Sequence, residues 1–210
     1  MLESLARVAA SHQILRLANL THVAAFAAKK GLTIDEVTDV IAFERDDVTK
    51  ELIESPFQRK AVLGNKFAPS SRFSDGEWPV FYAAIERDTA EKESSHHYGR
   101  KAAGDATAQR PVHYSLVRCT FEGEVIDLVA KLGDWPELVS EDYTFCNGLG
   151  KEAWDMGLGA FLAPSARRPG GTTVPAFVAK ALSNPVIVST VTLSYDNGGT
   201  VVEYKSLPAS

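Results

Sequence analysis

Residues 72–93 read RFSDGEWPVFYAAIERDTAEKE. The local structure of this stretch is the starting point for predicting the fold. The apolar run from Trp78 to Ala84 has the length of a buried strand and contains three aromatic side chains. Asp88 is a good helix N-cap, and Glu91 three residues later completes a capping box. The stretch therefore predicts a loop, a strand, a turn and a helix, in that order.

One side of this predicted helix combines an apolar residue with a carboxylate. Ala90, Glu93 and His97 follow one another at helical spacing, and the apolar Ala90 indicates that their side packs against the domain. A carboxylate on a packed side is costly unless it has a partner or a chemical role. Glu93 is therefore either one half of a stabilising ion pair or part of a site, whereas Glu91 and Lys92 point elsewhere.

The remaining elements follow from apolar runs and turn signals. Strands are predicted before and after the turn Glu122-Gly123-Glu124, and a helix precedes Gly157. Asn197-Gly198-Gly199 predicts a turn between the last two strands, which form a hairpin. The predicted ranges are Tyr114 to Phe121, Val125 to Ala130, the helix Tyr143 to Met156, and then Leu158 to Leu162, Val174 to Val178, Pro185 to Tyr195 and Thr200 to Tyr204. Residues 101–109 are predicted to form an exposed loop.

Several motifs, taken in order, resemble the RES-domain family, which is usually marked by an Arg, a Glu and a Ser. The resemblance covers about Phe57 to about Phe177, more than half of the chain. The matching motifs are Arg72, the strand VFYAA with Tyr82, the helix segment ending at Glu93, the run VIDLVA at 125–130, and Pro164-Ser165-Ala166-Arg167.

The resemblance implies an α+β fold with a mixed or antiparallel β core flanked by helices, similar to that of ADP-ribosyltransferase toxins. We predict an N-terminal helical extension over residues 1–55 and a RES-like catalytic domain over 56–210, together one compact unit. The extension is predicted from the Ala-rich segment Leu2 to Lys30, which contains neither Gly nor Pro. A capping box at Thr33 opens a second helix.

The resemblance also implies that NAD is the substrate and that the nicotinamide–ribose bond is cleaved, with no metal required. Arg72 suits the phosphates because a guanidinium binds phosphate oxygens in a bidentate way. Tyr82 offers an aromatic face to the cationic nicotinamide ring. Glu93 can stabilise the oxocarbenium-like charge that develops on the ribose, and the Ser165 hydroxyl can complete the ribose or amide contacts.

Other site residues are assigned from their positions relative to these motifs. Arg59 is the candidate for the family's first arginine, with Lys66 as its competitor. His97 is predicted to lie near the site, and Arg167 to bind phosphate. Adjacent His96 and His97 point about 100° apart on a helix, so together they do not chelate one metal ion. Each of Arg72, Tyr82 and Ser165 also has an ordinary interpretation: a solvated loop charge, a core aromatic and a turn serine respectively.

Composition argues against several other classes of protein. A chain of 210 residues with 45% hydrophobic residues is long enough for one domain with a sizeable core. The net charge of −5 and the absence of a Lys/Arg block argue against direct nucleic-acid binding. Two cysteines do not make a disulfide framework, and no apolar run reaches the roughly 20 residues of a membrane span. A cytoplasmic protein is expected.

Three functions stay open at this point. The first is a toxin that hydrolyses or phosphorolyses NAD and is neutralised by a cognate antitoxin with a helix-turn-helix DNA-binding domain. The second is an ADP-ribosyltransferase that modifies a protein target with the same site. The third is a non-catalytic RES-like module that binds a partner protein through its N-terminus. The sequence leaves open whether the chain forms a homo-oligomer.

Overall fold

A seven-stranded sheet forms the centre of the molecule. The computed structural model describes residues 1–19, 45–58, 70–105, 110–196 and 199–206. In these ranges the strands are β1 (Val8–Asn19), β2 (Phe81–Ala84), β3 (Val112–Asp127), β4 (Ala160–Pro164), β5 (Thr172–Ala176), β6 (Leu182–Asp196) and β7 (Gly199–Ser206). The helices are α1 (Arg45–Gln58), α2 (Arg87–Gly104) and α3 (Thr144–Asp155).

The sheet closes on itself around strand β3. The first part of β3 lies between β1 and β6 and pairs antiparallel with both. The C-terminal end of β3 pairs in parallel with β4. From β4 the antiparallel order continues through β5 and β2 back to β1, so five strands complete a ring. The β6–β7 hairpin extends from the ring, as the turn signals predicted.

Each helix packs on its own group of buried side chains, so the three helices lie on different parts of the sheet. Aromatic and branched aliphatic residues dominate all three groups, which are the residues that supply most apolar area per side chain. The groups contain Ile14, Ile53, Phe81 and Phe121 with α1; Leu17, Ala90, Tyr98 and Leu116 with α2; and Phe73, Leu149, Phe161 and Phe177 with α3. In the described residues no helix is long and apolar enough to cross a membrane.

The predicted N-terminal helical extension is wrong for the first part of the chain. Val8–Asn19 is the strand β1, which pairs residue by residue with β3 and also contacts β2. The Ala-rich composition favours a helix locally, but twelve residues of pairing with β3 outweigh that preference. The predicted second helix from Thr33 lies outside the described residues. Pro56, predicted to begin the main domain, instead lies near the end of α1.

Three further predictions need correction. Helix α2 begins at Arg87 with Glu86 as N-cap, so Asp88 lies inside the first turn and does not cap it. The same helix continues to Gly104, through part of the predicted loop. The two strands predicted on either side of Gly123 are one continuous strand, β3, because pairing with β1 carries the backbone straight through.

The other elements match their predictions in type and approximate position. The fold is α+β with a mixed β core flanked by helices. The predicted helix Tyr143 to Met156 is α3, which ends at Asp155 with Met156 as its C-cap; Gly157 follows with a φ of +63°, which only glycine adopts easily. The predicted strand Trp78 to Ala84 is shorter than expected and is confined to β2.

A close approach between α3 and the loop before β2 gives a direct test of this packing. A Cβ built on Gly150 would lie 2.0 Å from the backbone oxygen of Phe73, whereas one built on Gly148 meets nothing within 4 Å. Gly150→Ala is therefore expected to lower the free energy of unfolding by about 1–3 kcal/mol or more through overpacking. Gly148→Ala is expected to raise it by roughly 0.5–1 kcal/mol, since alanine is the better helix former.

Chemical denaturation of the two variants beside the wild type measures both effects. The comparison is matched because both glycines lie in α3, two residues apart. Equal behaviour of the two variants would show that α3 does not press on the Phe73 backbone.

Candidate functional site

A pocket of about 200 Å³ lies where β1, β2 and α2 meet the loop that precedes β2. Its walls combine small apolar residues with a set of charged and aromatic side chains. The members that matter for chemistry are Arg16, Arg72, Tyr82, Glu93, His97 and Tyr143. Four of the residues predicted from the sequence, Arg72, Tyr82, Glu93 and His97, are therefore brought together in one cavity.

Arg72 is buried and fixed in place, rather than being a solvated loop charge. Its Nη1 donates hydrogen bonds to the backbone oxygens of Leu138 (3.2 Å) and Ser140 (2.6 Å). Its guanidinium carbon lies 4.7 Å from the centre of the Tyr143 ring, in a cation–π contact. With only 9% of the residue exposed, the planar group is held rigidly before any ligand arrives.

The backbone that carries Arg72 is held by α3. Asn147 Nδ2 lies 3.0 Å from the backbone oxygen of Ser71, 3.0 Å from that of Arg72 and 2.9 Å from that of Tyr143. One amide group therefore ties the loop before β2 to the start of α3. Sequence reasoning did not identify Asn147, because nothing in its local motif indicates which distant carbonyl oxygens it contacts.

Tyr82 has a structural role as well as a place in the pocket wall. The backbone N–H of Phe73 donates a hydrogen bond to its hydroxyl oxygen. Burial raises the pKa of the Tyr82 phenol, although the hydrogen bonds from Ser71 and Phe73 and the charge of Arg72 oppose the shift. The phenol is therefore neutral at physiological pH, and its ring is held firmly against the Arg72 loop.

Glu93 is oriented by the serine motif. Ser165 Oγ donates a hydrogen bond of 2.6 Å to Glu93 Oε1. The same oxygen accepts hydrogen bonds from the backbone N–H groups of Arg167 (3.1 Å) and Arg168 (3.0 Å). Ser165 is only 6% exposed and does not itself line the pocket. This geometry favours a role for Ser165 in orienting the carboxylate, in place of the direct substrate contact that the sequence suggested.

Arg16 is a charged residue of the pocket wall that the sequence analysis does not predict, as is also true of the aromatic Tyr143. Arg16 lies on β1 and lines the pocket, where its Nη1 donates to the backbone oxygen of Tyr82 (3.3 Å) and its guanidinium carbon lies 4.7 Å from the Phe81 ring centre. The Ala-rich composition favours a helix and obscures the alternation of Ile14, Arg16 and Ala18 on one face of a strand. The candidate Arg59 and its competitor Lys66 lie outside the described residues.

Arg167 lies beside the pocket and not in its wall. Its guanidinium donates two hydrogen bonds to the carboxylate of Glu141, of which Nη2 to Oε2 measures 3.0 Å. This hydrogen bond is the main reason why the pKa of Glu141 falls to about 2. The hydrogen bond with Glu141 raises the pKa of Arg167, and Tyr143, which does line the pocket, adds to the shift.

His97 lines the pocket one helical turn beyond Glu93. Desolvation lowers the pKa of its imidazole, and the charges of Arg167, Arg100 and Arg72 lower it further against the opposing effect of Glu93. The ring is therefore uncharged at neutral pH. Among the described residues no cluster of three or more His, Cys, Asp or Glu side chains could hold a metal ion.

A profile of a protein family matches the chain and confirms the family that the motifs indicate. The RES-domain profile matches residues 48–196, which is more than half of the chain. The chain belongs to the RES-domain family. Arg72, Tyr82, Glu93 and Ser165 all fall inside the matched range, whereas Arg16 lies before it.

A solved structure shares the fold of this chain. A chain in the crystal structure of the M. tuberculosis MbcT–MbcA toxin–antitoxin complex superposes with a TM-score of 0.50 at 16% sequence identity. The match covers 90% of this chain and 87% of that one. At this identity the likeness establishes the fold alone. No curated protein matches this RES-domain chain by sequence.

Proposed function

We propose that this protein is a RES-type toxin that cleaves the nicotinamide–ribose bond of NAD. The main support is that one pocket is lined by Arg16, Arg72, Tyr82 and Glu93. The Glu93 carboxylate is oriented there by a hydrogen bond from Ser165. Family membership supports the same assignment, and the fold shared with a chain of a toxin–antitoxin complex is consistent with a toxin role.

The two arginines supply the recognition of phosphate. Arg72 is rigid because its Nη1 donates hydrogen bonds to two carbonyl oxygens and its guanidinium lies over the Tyr143 ring. Arg16 is held in a similar way over Phe81 on the opposite, β1 side of the pocket. Fixed guanidinium groups bind phosphate oxygens without first losing side-chain entropy, so they suit a dinucleotide substrate.

The carboxylate supplies the chemistry. Breaking the bond between nicotinamide and ribose develops positive charge on the sugar, and a carboxylate next to that charge lowers the barrier. Glu93 lines the pocket, and one of its carboxylate oxygens accepts a hydrogen bond from Ser165. The orientation of the carboxylate is therefore set before the substrate binds. The aromatic wall at Tyr82 gives the departing nicotinamide ring a face to stack on.

The size of the pocket indicates which part of NAD it takes. About 200 Å³ is below the roughly 300–1,000 Å³ of sites that enclose a whole drug-sized ligand. We infer that the nicotinamide and its ribose enter the pocket and that the adjoining phosphate reaches Arg16 and Arg72 in its wall, while the remainder of the dinucleotide extends over the surrounding surface.

Incubation of the purified protein with NAD tests the proposal and separates its alternatives. We expect free nicotinamide to appear. The ADP-ribose product identifies the acceptor: hydrolysis gives free ADP-ribose, phosphorolysis gives a phosphorylated product only when phosphate is present, and transfer leaves label on protein. Unchanged NAD after prolonged incubation would favour the non-catalytic binding module.

We also propose a cognate antitoxin with a helix-turn-helix domain, because an NAD-degrading protein must be held inactive in its own cell. A pocket lined by Arg16 and Arg72 attracts an acidic segment that imitates the substrate's phosphates. We therefore predict that the antitoxin and NAD compete for the pocket.

A binding titration of the antitoxin measures this competition. Saturating NAD is expected to weaken antitoxin binding to a Glu93→Gln variant, which consumes the nucleotide too slowly to deplete it during the titration. An antitoxin affinity that does not change with NAD would place the contact on another surface.

A further inference from the structure

The carboxylate of Glu141 lies between two arginines at the edge of the pocket. Arg167 binds it with both terminal nitrogens, and Arg100 Nη1 lies 3.9 Å from Glu141 Oε2. The cluster lies beside the pocket, because Arg167, Glu141 and Arg100 are each within three positions of a residue that lines it, namely Pro164, Tyr143 and His97 respectively. A planar, two-pronged arginine that holds a carboxylate is also the arrangement that binds a phosphate group.

The two partners of this ion pair differ greatly in exposure. The Arg167 side chain is 12% exposed, whereas the Glu141 side chain is 63% exposed. The carboxylate can therefore rotate into solvent, but the guanidinium cannot follow it. If Glu141 leaves, Arg167 needs another anion, because a largely buried charge without a partner is costly.

A second feature of Arg167 points in the same direction. Its Nε–H is buried and has no acceptor among the described residues. The Glu141 carboxylate thus satisfies the terminal nitrogens but leaves one donor of the guanidinium unused. A phosphate group has more acceptor oxygens than a carboxylate, so it is better suited to satisfy the whole group.

We propose that Arg167 and Arg100 form an anion subsite beside the pocket, which takes a phosphate group and in which the Glu141 carboxylate is a displaceable stand-in. This proposal rests on the proposed function for its occupant, since the part of NAD that does not fit in the pocket still carries the second phosphate. Glu141 then competes with the substrate, so that the affinity for a phosphate-bearing ligand depends on displacing it.

The test is calorimetric titration with two probes, ADP and inorganic orthophosphate. Glu141→Gln keeps the shape of the side chain and removes its charge, and we expect ADP to bind roughly fivefold tighter than to the wild type. Asp155→Asn is the matched control, because Asp155 is also an exposed carboxylate in an ion pair, with Lys151, and its loss is expected to leave the affinity unchanged.

Arg100→Ala tests the site without disturbing the core, since its side chain is 63% exposed. We expect it to weaken ADP binding and to reduce the gain produced by Glu141→Gln in the double variant. A gain for ADP assigns the subsite to the nucleotide, and a gain for orthophosphate alone assigns it to the free ion. Equal affinities in the wild type and Glu141→Gln would overturn the proposal and make the pair an ordinary surface ion pair.

The outcome is separate from that of the proposed activity. If Glu141→Gln binds ADP more tightly while NAD stays intact, the anion subsite stands and the cleavage of NAD is wrong. If NAD is consumed but the affinities are equal, the cleavage stands and the subsite is wrong.

Discussion

Replacing Glu93 with glutamine is expected to lower the rate of NAD cleavage by about 100-fold or more, and Glu93→Ala is expected to abolish it. Glutamine keeps an oxygen that can accept the hydrogen bond from Ser165, so the variant is expected to fold normally. What it loses is the negative charge that stabilises the developing cation on the ribose. The effect should therefore fall mainly on kcat and much less on KM.

Glu91 is the control for this prediction. It lies on the same helix but is paired with Arg87, whose Nε donates to Glu91 Oε1 at 2.7 Å, and it does not line the pocket. Glu91→Gln and Glu91→Ala should keep near-normal turnover. Release of nicotinamide, followed at several NAD concentrations, measures all four variants. Similar losses at the two positions would mean that the carboxylate facing the pocket has been misassigned.

Arg72→Lys is expected to lose nearly as much activity as Arg72→Ala, by about 100-fold in kcat/KM. A lysine keeps the charge but cannot donate to the carbonyl oxygens of Leu138 and Ser140 while presenting a flat face to Tyr143. Loss of the donors from these buried oxygens also lowers the free energy of unfolding, by about 1–3 kcal/mol for Arg72→Ala.

The control for Arg72 is Arg87→Lys, which makes the same chemical change on the exposed side of α2. It should leave both turnover and stability almost unchanged. Steady-state kinetics should be measured at a temperature where thermal denaturation shows every variant to be folded. Normal NAD turnover by a folded Arg72→Lys would exclude a bidentate phosphate contact at this position.

The part of the site that follows from local sequence was predictable. Ala90, Glu93 and His97 share one side of α2 because the helical repeat alone brings them together, and all three line the pocket. Arg72 and Tyr82 lie close to that helix in sequence, so short loops keep them near it. The order of these motifs was enough to indicate the family.

The part that depends on long-range pairing was not predictable. Arg16 enters the site only because β1 pairs with β3, and an Ala-rich segment gives no local sign of a partner strand so far along the chain. The actual role of Ser165 was hidden for a similar reason. The motif around Ser165 indicates a site residue. Only the tertiary structure shows that the Ser165 hydroxyl donates a hydrogen bond to Glu93 and that Ser165 does not line the pocket.

The central test is a crystal structure of Glu93→Gln with NAD, since this variant is expected to bind the substrate and to cleave it at least about 100-fold more slowly than the wild type. We expect the nicotinamide ribose to lie in the pocket between Tyr82 and residue 93, with phosphate oxygens accepting hydrogen bonds from Arg16 or Arg72. NAD bound elsewhere on the molecule, or no bound NAD at concentrations well above those that saturate the wild type, would contradict it.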